Sequence, residues 1–438
     1  MNDKTRQTAQ TLCIGAMAAM LGVAGTAAMA QATDASGFRL ASDPSPYYIG
    51  ANQGFTRDSN VYRVPSGPGD SYSSTSVLAG FDQPISRQRV FGKASVSLNR
   101  YLDQTQLNNT SYSLTTGLDW ATIMKLSGNV SANLDQHLAA PAASVSTPVT
   151  KRNLEQRQGI PALGRWGGDS LLTLEGRVGY STLDYSAPEY VSSESRNTTG
   201  SLNLFYRPST LLRVGVGAHV DRTRTPKAVQ LADGSFEANQ IHGKSLDLLA
   251  DYEVSGSISA SGRLSYTRQT NSGVSAADFS GLTGSLNLSV RPTGKLGLNL
   301  AASRDAGFNA TPVTLATVSL VSGTPMVTPI TGLYENNQVT NTLALGATYA
   351  ATAKVNMNAG AHYSRANVVS AVAATSSSQA SPDTIDKTNG VSLGVNYAFS
   401  RSLTFACDLA HDKREVSGAA AYSYSANSIG CSGQFLWR

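Results

Sequence analysis

The chain has 438 residues, length enough for two or three ordinary domains, yet only 14% are charged and 40 are glycine. Soluble domains carry about 25% charge, so a conventional multidomain enzyme wrapped in a solvated shell is disfavoured. The net charge of +5 is small and scattered, which argues against a nucleic-acid surface and makes no nucleic-acid partner expected.

Residues 1–30 read as a secretory leader: Lys4 and Arg6, an apolar run from Leu12 to Gly25, then Ala28-Met29-Ala30 before Gln31. The run is shorter than the ~20 residues a membrane helix needs. Cys13 lies inside it, away from the cleavage point, so a lipid-anchored start is not expected. Residues 31–438 then form one unit, and no later stretch qualifies as a membrane helix.

From there the chain alternates. Period-two patterning predicts eighteen strands, centred near residues 52, 76, 94, 113, 131, 156, 177, 199, 217, 247, 263, 285, 302, 343, 359, 392, 408 and 430. Many have the ~10 residues that a tilted strand needs to cross a bilayer. Five connections look alike: YRPSTLLRV (206–214), YEVSGSISA (252–260), VRPTGKLGL (290–298), YAATAKVNM (349–357) and YAFSRSLTF (397–405). DQPISRQRV (82–90) and WATIMKLSG (120–128) are looser copies. Long connections alternate with these short ones, over 58–70, 139–149, 224–239, 309–335 and 366–384. Short turns at one rim and long loops at the other describe an all-β, antiparallel up-and-down transmembrane barrel of the bacterial outer membrane. Eighteen strands close it. Sixteen would also do so if 150–170 and one early strand were not strands.

Two faces follow. Val391, Leu393, Val395 and Tyr397, like Leu403, Phe405, Cys407 and Leu409, take the outer face, where membrane lipid is the expected partner. Trp120, Tyr206, Tyr252, Tyr349 and Tyr397 sit where strands meet short turns, the level of an interfacial aromatic girdle. Opposite parity predicts the pore lining. In the first half it comprises Arg89, Lys93, Asp119, Lys125, Asn129, Asn133, Asp135, Glu175 and Arg177. In the second it comprises Arg213, His219, Asp221, Asp247, Asp251, Arg263, Asn287, Asn299, Asn358, His362, Asn396 and Asp408. Both signs of charge among amides and hydroxyls suit hydrated, neutral or weakly charged solutes, sugars in particular. Any one of these charges could equally serve only to pair across strands.

Loop 309–335 is long and apolar, and is read either as a constriction folded into the barrel or as an external two-strand extension. Cys407 and Cys431 fall twelve residues either side of Ala419, so simple registration sets them opposite one another. A disulfide is plausible in the oxidising export route, with two lipid-facing thiols the alternative. The end, GQFLWR, carries Phe435 and Trp437, the aromatic terminus of outer-membrane proteins, here followed by Arg438.

Chemistry is thin. HExxH, CxxC and phosphate-cradling loops do not occur. His219 and Asp221 could imitate a catalytic pair, but their spacing is that of two neighbours on one strand face. No enzymatic activity, metal or cofactor is expected.

Short passages carry a resemblance: YYIGANQGF (47–55), RDSNVYR (57–63), GLDW (117–120), LSGNVS (126–131) and LDYSAPEY (183–190). The chain resembles the EpsL-type outer-membrane proteins of exopolysaccharide gene clusters, within a wider group of β-barrel porins. The resemblance implies a barrel through which a secreted polysaccharide crosses the outer membrane, with periplasmic polysaccharide-export components as possible partners. A general or sugar-selective diffusion porin and a non-conducting structural or adhesive barrel are the alternatives.

Overall fold

The computed structural model describes residues 46–139, 150–168, 170–230, 235–254, 256–272, 278–321, 324–373, 379–417 and 423–437. The expected leader, Ala419 and Arg438 lie outside these residues. Eighteen strands run in order: β1 Tyr47–Asp58, β2 Asp70–Ile85, β3 Gln88–Tyr101, β4 Asn109–Ala121, β5 Leu126–Leu138 and β6 Leu154–Trp166. They continue as β7 Leu172–Tyr185, β8 Ser195–Tyr206, β9 Leu212–Gln230, β10 Phe236–Val254, β11 Ile258–Asn271 and β12 Phe279–Val290. The last six are β13 Leu296–Val321, β14 Thr324–Ala350, β15 Val355–Ala373, β16 Gln379–Ala398, β17 Leu403–Ser417 and β18 Tyr424–Trp437. Each strand pairs antiparallel with its sequence neighbours, and β1 closes on β18 from Ile49↔Trp437 to Asp58↔Ser428. All eighteen expected centres fall within these strands.

The wall is inverted relative to a soluble protein. Leu246, Leu248, Leu393 and Val216 are more than half exposed, whereas Ser245, Asp247, Ser265, Thr267 and Thr283 are buried on the other face. Leaving one large aliphatic side chain in water forgoes about 1.5–3 kcal/mol. Repeated around the barrel that is on the order of tens of kcal/mol, which only hydrocarbon can recover. No helix among the described residues is long and apolar enough to cross a membrane; the strands cross it, and the barrel belongs to the outer membrane. In the β12–β13 hairpin, Leu288 faces Leu300 and Val290 faces Leu298 on the lipid side.

The repeated short turns have a shared chemical cause. Ser209, Thr293, Thr352 and Ser400 each accept, at the side-chain hydroxyl, hydrogen bonds from the amides two and three residues on. A hydroxyl in this position satisfies donors that the reversing chain leaves unpaired. The next apolar residue then restarts the alternation.

The other rim departs from expectation. Residues 224–239, 309–335 and 366–384 are largely strand: β9–β10, β13–β14 and β15–β16 run past the other hairpins. Segment 309–335 is therefore a two-strand extension, paired from Asn309↔Asn336 to Val321↔Thr324. Its Thr- and Val-rich alternation is itself strand-forming. β13 also touches β9 and the short helix Pro188–Ser193. Adjacent strands lie ~4.8 Å apart, so β9 and β13 stand ~19 Å apart within the wall. The tall hairpins must therefore lean towards one another at the long-loop end.

Cys407 and Cys431 are register partners, Cα to Cα 4.1 Å, with their sulfurs joined. Closing a loop of this length contributes about 3 kcal/mol in the chain-entropy account. Folded protein lacking residues 1–30, and so Cys13, is expected to take up two alkyl groups when treated with reductant and alkylating agent in denaturant, and none without reductant. The Cys407→Ser variant is expected to unfold at lower denaturant. Full alkylation without reductant would contradict the bond.

Candidate functional site

Among the described residues, the predicted polar residues converge on the inner wall of the barrel. Near the short-turn rim, register brings together a charged arc from β2 to β10. Arg89 on β3 bonds Asp82 on β2 at 2.7 Å and Asp119 on β4 at 2.9 Å. Asn129 on β5 donates to the same Asp119. Four strands on, Glu175 is fully buried among three arginines: Arg213 at 2.7 Å, Arg165 at 2.9 Å and Arg177 at 3.4 Å. Arg213 also binds Asp251 on β10 at 2.6 Å and lies over the Phe205 ring, 4.0 Å from its centroid. The three guanidinium side chains are 21–33% exposed. They cover the carboxylate and present its compensating charge to the interior.

The rest of that rim is mostly amide, with one carboxylate. Asn287, Asn299, Asn358 and Asn396 face inward on β12, β13, β15 and β16, with Asp408 on β17. Asn396 donates to Asn358 Oδ1 at 3.3 Å. Asn358 and Asp408 sit on strands flanking β16 and reach each other over Gly394, where a Cβ would lie 2.3 Å from Asp408 Oδ1 and 2.5 Å from Asn358 Nδ2. Four residues along β16 the device recurs: His362 and Asp412 approach to 3.8 Å over Gly390. A strand without side chains at these points lets partners two strands apart meet.

Midway up, Asp247 accepts from Ser265 at 2.5 Å and bonds His219 Nδ1 at 2.7 Å. The carboxylate stands between serine and histidine. A hydrolytic relay needs the imidazole between serine and carboxylate, so this order supplies no activated nucleophile. His219 pairs with Asp247 on the next strand rather than with Asp221 on its own. Hydroxyls continue the row, Ser245 donating to Thr267 at 2.9 Å, with Thr267 and Thr283 2.7 Å apart. Arg263 approaches Asp305 at 3.8 Å, and Asp135 accepts from Ser113 at 2.5 Å. Lys93, Asn133 and Asp221 keep inward parity on β3, β5 and β9.

Lys125 is a correction. It lies in the β4–β5 turn with φ 62°, and its Nζ donates to Ser170 in the neighbouring turn at 2.9 Å. The turn ends the alternation at Ala121, so the parity count that put Lys125 on the wall does not reach it. Arg165, Asp82 and Phe205 are wall residues the sequence reading did not single out. Arg165 shares inward parity with Arg157, but Pro161 between them breaks the strand signal of 154–166.

The aromatic residues line the short-turn rim on the outer face: Trp120, Tyr206, Tyr252, Tyr349 and Tyr397 near the ends of β4, β8, β10, β14 and β16. Trp166 and Trp437 take the same place on β6 and β18 and are well exposed.

Two of the passages carrying the resemblance, RDSNVYR and LDYSAPEY, build ordered external loops, while the other three lie within β1, β4 and β5. In RDSNVYR, Arg63 pairs with Asp58 at 2.7 Å, and Asn60 donates to Val64 O at 2.7 Å and Ser425 O at 3.2 Å. Burial works against the Arg63 charge, but Asp58 outweighs it and holds the guanidinium above its ordinary range. Tyr62 donates to Gln104 at 2.8 Å. In LDYSAPEY, the Ala187 amide donates to Asn153 Oδ1 at 3.0 Å, the Tyr185 and Tyr190 rings lie 5.4 Å apart, and Glu189 meets Lys151 at 2.7 Å. These residues fix loop shape; none is left facing the lumen as a binding group.

Comparison with known proteins adds little beyond architecture. No protein-family model matches the chain, and no curated protein matches its sequence. Among solved structures, the chain is similar to the ferric enterobactin receptor PfeA from Pseudomonas aeruginosa (9% identity, 90% of this chain and 80% of that one, TM-score 0.43). It is also similar to the outer membrane protein OpdK from the same organism (11%, 89% and 99%, TM-score 0.44) and to the FrpB iron transporter from Neisseria meningitidis (12%, 85% and 62%, TM-score 0.44). Nothing about cargo is drawn from similarities this low.

Proposed function

We propose that this barrel is a passive outer-membrane channel through which an exopolysaccharide leaves the cell. The observation that carries the reading is the division of the inner rim. Its ion pairs are neutralised within the wall, and the remaining arc offers amides with a single carboxylate, Asp408, beside Asn358. A hydrated glycan can exchange water for such groups with little net gain per contact, about 0.5–1.5 kcal/mol each, so it is wetted along its path without being trapped. Ionised residues already paired do not hold a charged polymer. The resemblance in the external loops supports the same cargo. The energy for transit would come from synthesis or from periplasmic and inner-membrane partners, since the sequence has no nucleotide motif. We propose no catalytic role for the wall.

Deleting the gene is expected to abolish secreted polymer while intracellular precursors persist. Unchanged secretion would overturn the proposal. Uptake of small sugars by reconstituted barrels, with secretion unaffected, would identify a diffusion porin instead.

A further inference from the structure

The outer face carries a feature that the channel does not use. Above the aliphatic band on β9, β10 and β11, alternation continues but the residues become cationic: Val220 gives way to Arg222 and Arg224, Leu246 to Lys244 and His242, Tyr266 to Arg268. All five are exposed. Lys244 stands directly opposite Arg268, and His242 opposite Arg222. Arg304 on β13 marks the same change above Ala302.

Like charges set directly opposite on one sheet face repel, and among the described residues none of the five forms an ion pair with a carboxylate, Asp221 on the inner face reaching His242 only through its field. Arg222 donates to the neutral Gln240 at 2.6 Å and Arg304 to Asn341 at 3.1 Å. Among the described residues, Lys244, Arg224 and Arg268 have no acidic partner. The acid at this level on β7, Asp184, is engaged by Arg196 at 2.5 Å. The compensating anion must come from outside the chain.

Height identifies its source. Lys244 is eight residues from the girdle residue Tyr252 along β10. At ~3.3 Å per residue and a tilt of ~40° that is ~20 Å vertically, near the top of an apolar band ~25 Å tall. Long basic side chains extending upward from there end among lipid headgroups. The end in question is the long-loop rim, which faces the outer leaflet.

We propose that Arg222, Arg224, His242, Lys244 and Arg268, with Arg304 beside them, form a binding site for the phosphate groups of a phosphorylated glycolipid of the outer leaflet. Opposed side chains ~5 Å apart, with same-face neighbours ~7 Å along each strand, present several cations to one headgroup. The site anchors a lipid to β9–β11, beneath the tall β9–β10 hairpin that leans towards β13.

The test uses the folded full-length barrel in nanodiscs of phosphatidylcholine, alone or doped with lipid A or with dephosphorylated lipid A. Native mass spectrometry after detergent release reads retained lipid. Wild type is expected to keep lipid A and not its dephosphorylated form. Lys244→Gln/Arg268→Gln is expected to retain at least tenfold less. Arg57→Gln/Arg100→Gln, which removes outward cations on β1 and β3, is expected to retain as much as wild type. Competition by millimolar inorganic phosphate would show a free-anion site and overturn the lipid assignment. Equal retention of both lipid forms, or no loss in the first variant while its heat-modifiable gel mobility shows it folded, would overturn the site. Lipid retention is read without transport, so it stands or falls apart from the cargo.

Discussion

Glu175→Gln is expected to lower barrel stability by about 2–3 kcal/mol and to make the passage prefer anions. The carboxylate is fully buried, and three arginines converge on it within 3.4 Å. Removing one partner of a buried pair typically costs 3–5 kcal/mol, because the remaining charge is left uncompensated. Here the survivors are 21–33% exposed, so water screens part of the repulsion and the lower figure applies. Glutamine keeps the shape and the hydrogen-bonding oxygen but not the charge, leaving three guanidinium groups against Asp251 alone. Urea titration of the folded gel band should show the lowered midpoint, and reversal potentials across a salt gradient should shift towards anion selectivity. Arg177→Gln removes only the 3.4 Å contact and should change stability by less than about 1 kcal/mol. An unchanged midpoint and unchanged selectivity in Glu175→Gln would mean that the cluster neither holds the wall nor faces the passage.

How much of this was readable beforehand depends on the range of the interaction. Strand positions and faces follow from local alternation, so Leu246 and Asp247 sort to opposite sides from sequence alone. Short turns announced themselves as repeated points where one alternating run closes and another reopens, though the hydroxyl that accepts two amides at each needed coordinates. Segment 309–335 was legible as a two-strand extension only as one of two readings, because a Thr- and Val-rich run with several prolines reads equally well as a loop, and 224–239 and 366–384 read simply as long connections. Clusters such as Arg165–Glu175–Arg213 were invisible as clusters. They join β6, β7 and β9, and their meeting depends on the register of each intervening pair, where a one-residue slip would send every member to lipid. The glycine gaps at Gly390 and Gly394 belong to the same class. A glycine in a strand looks like a weakness until the side chains two strands apart are seen to meet across it.

The amide arc tests the cargo. Asn299→Leu/Asn358→Leu/Asn396→Leu is expected to cut polymer secretion about tenfold or more while leaving ionic conductance nearly unchanged. Leucine shares asparagine's branching and its four side-chain heavy atoms, so the bore narrows only slightly. Each amide contributes about 0.5–1.5 kcal/mol of net hydrogen bonding to a passing hydroxyl-rich chain. Three lost together raise the transit barrier by at least ~1.4 kcal/mol, the free energy of one factor of ten. A glycan sliding past leucine must shed water without replacement, whereas small ions remain hydrated on the charged side of the rim. Serine at the same positions restores donors and acceptors and should return most of the secretion. The readouts are polymer released by a deletion strain carrying each variant and single-channel current in planar bilayers. Full secretion from the leucine variant, with the barrel folded and conducting, would show that the amide arc is not the surface the polymer travels on.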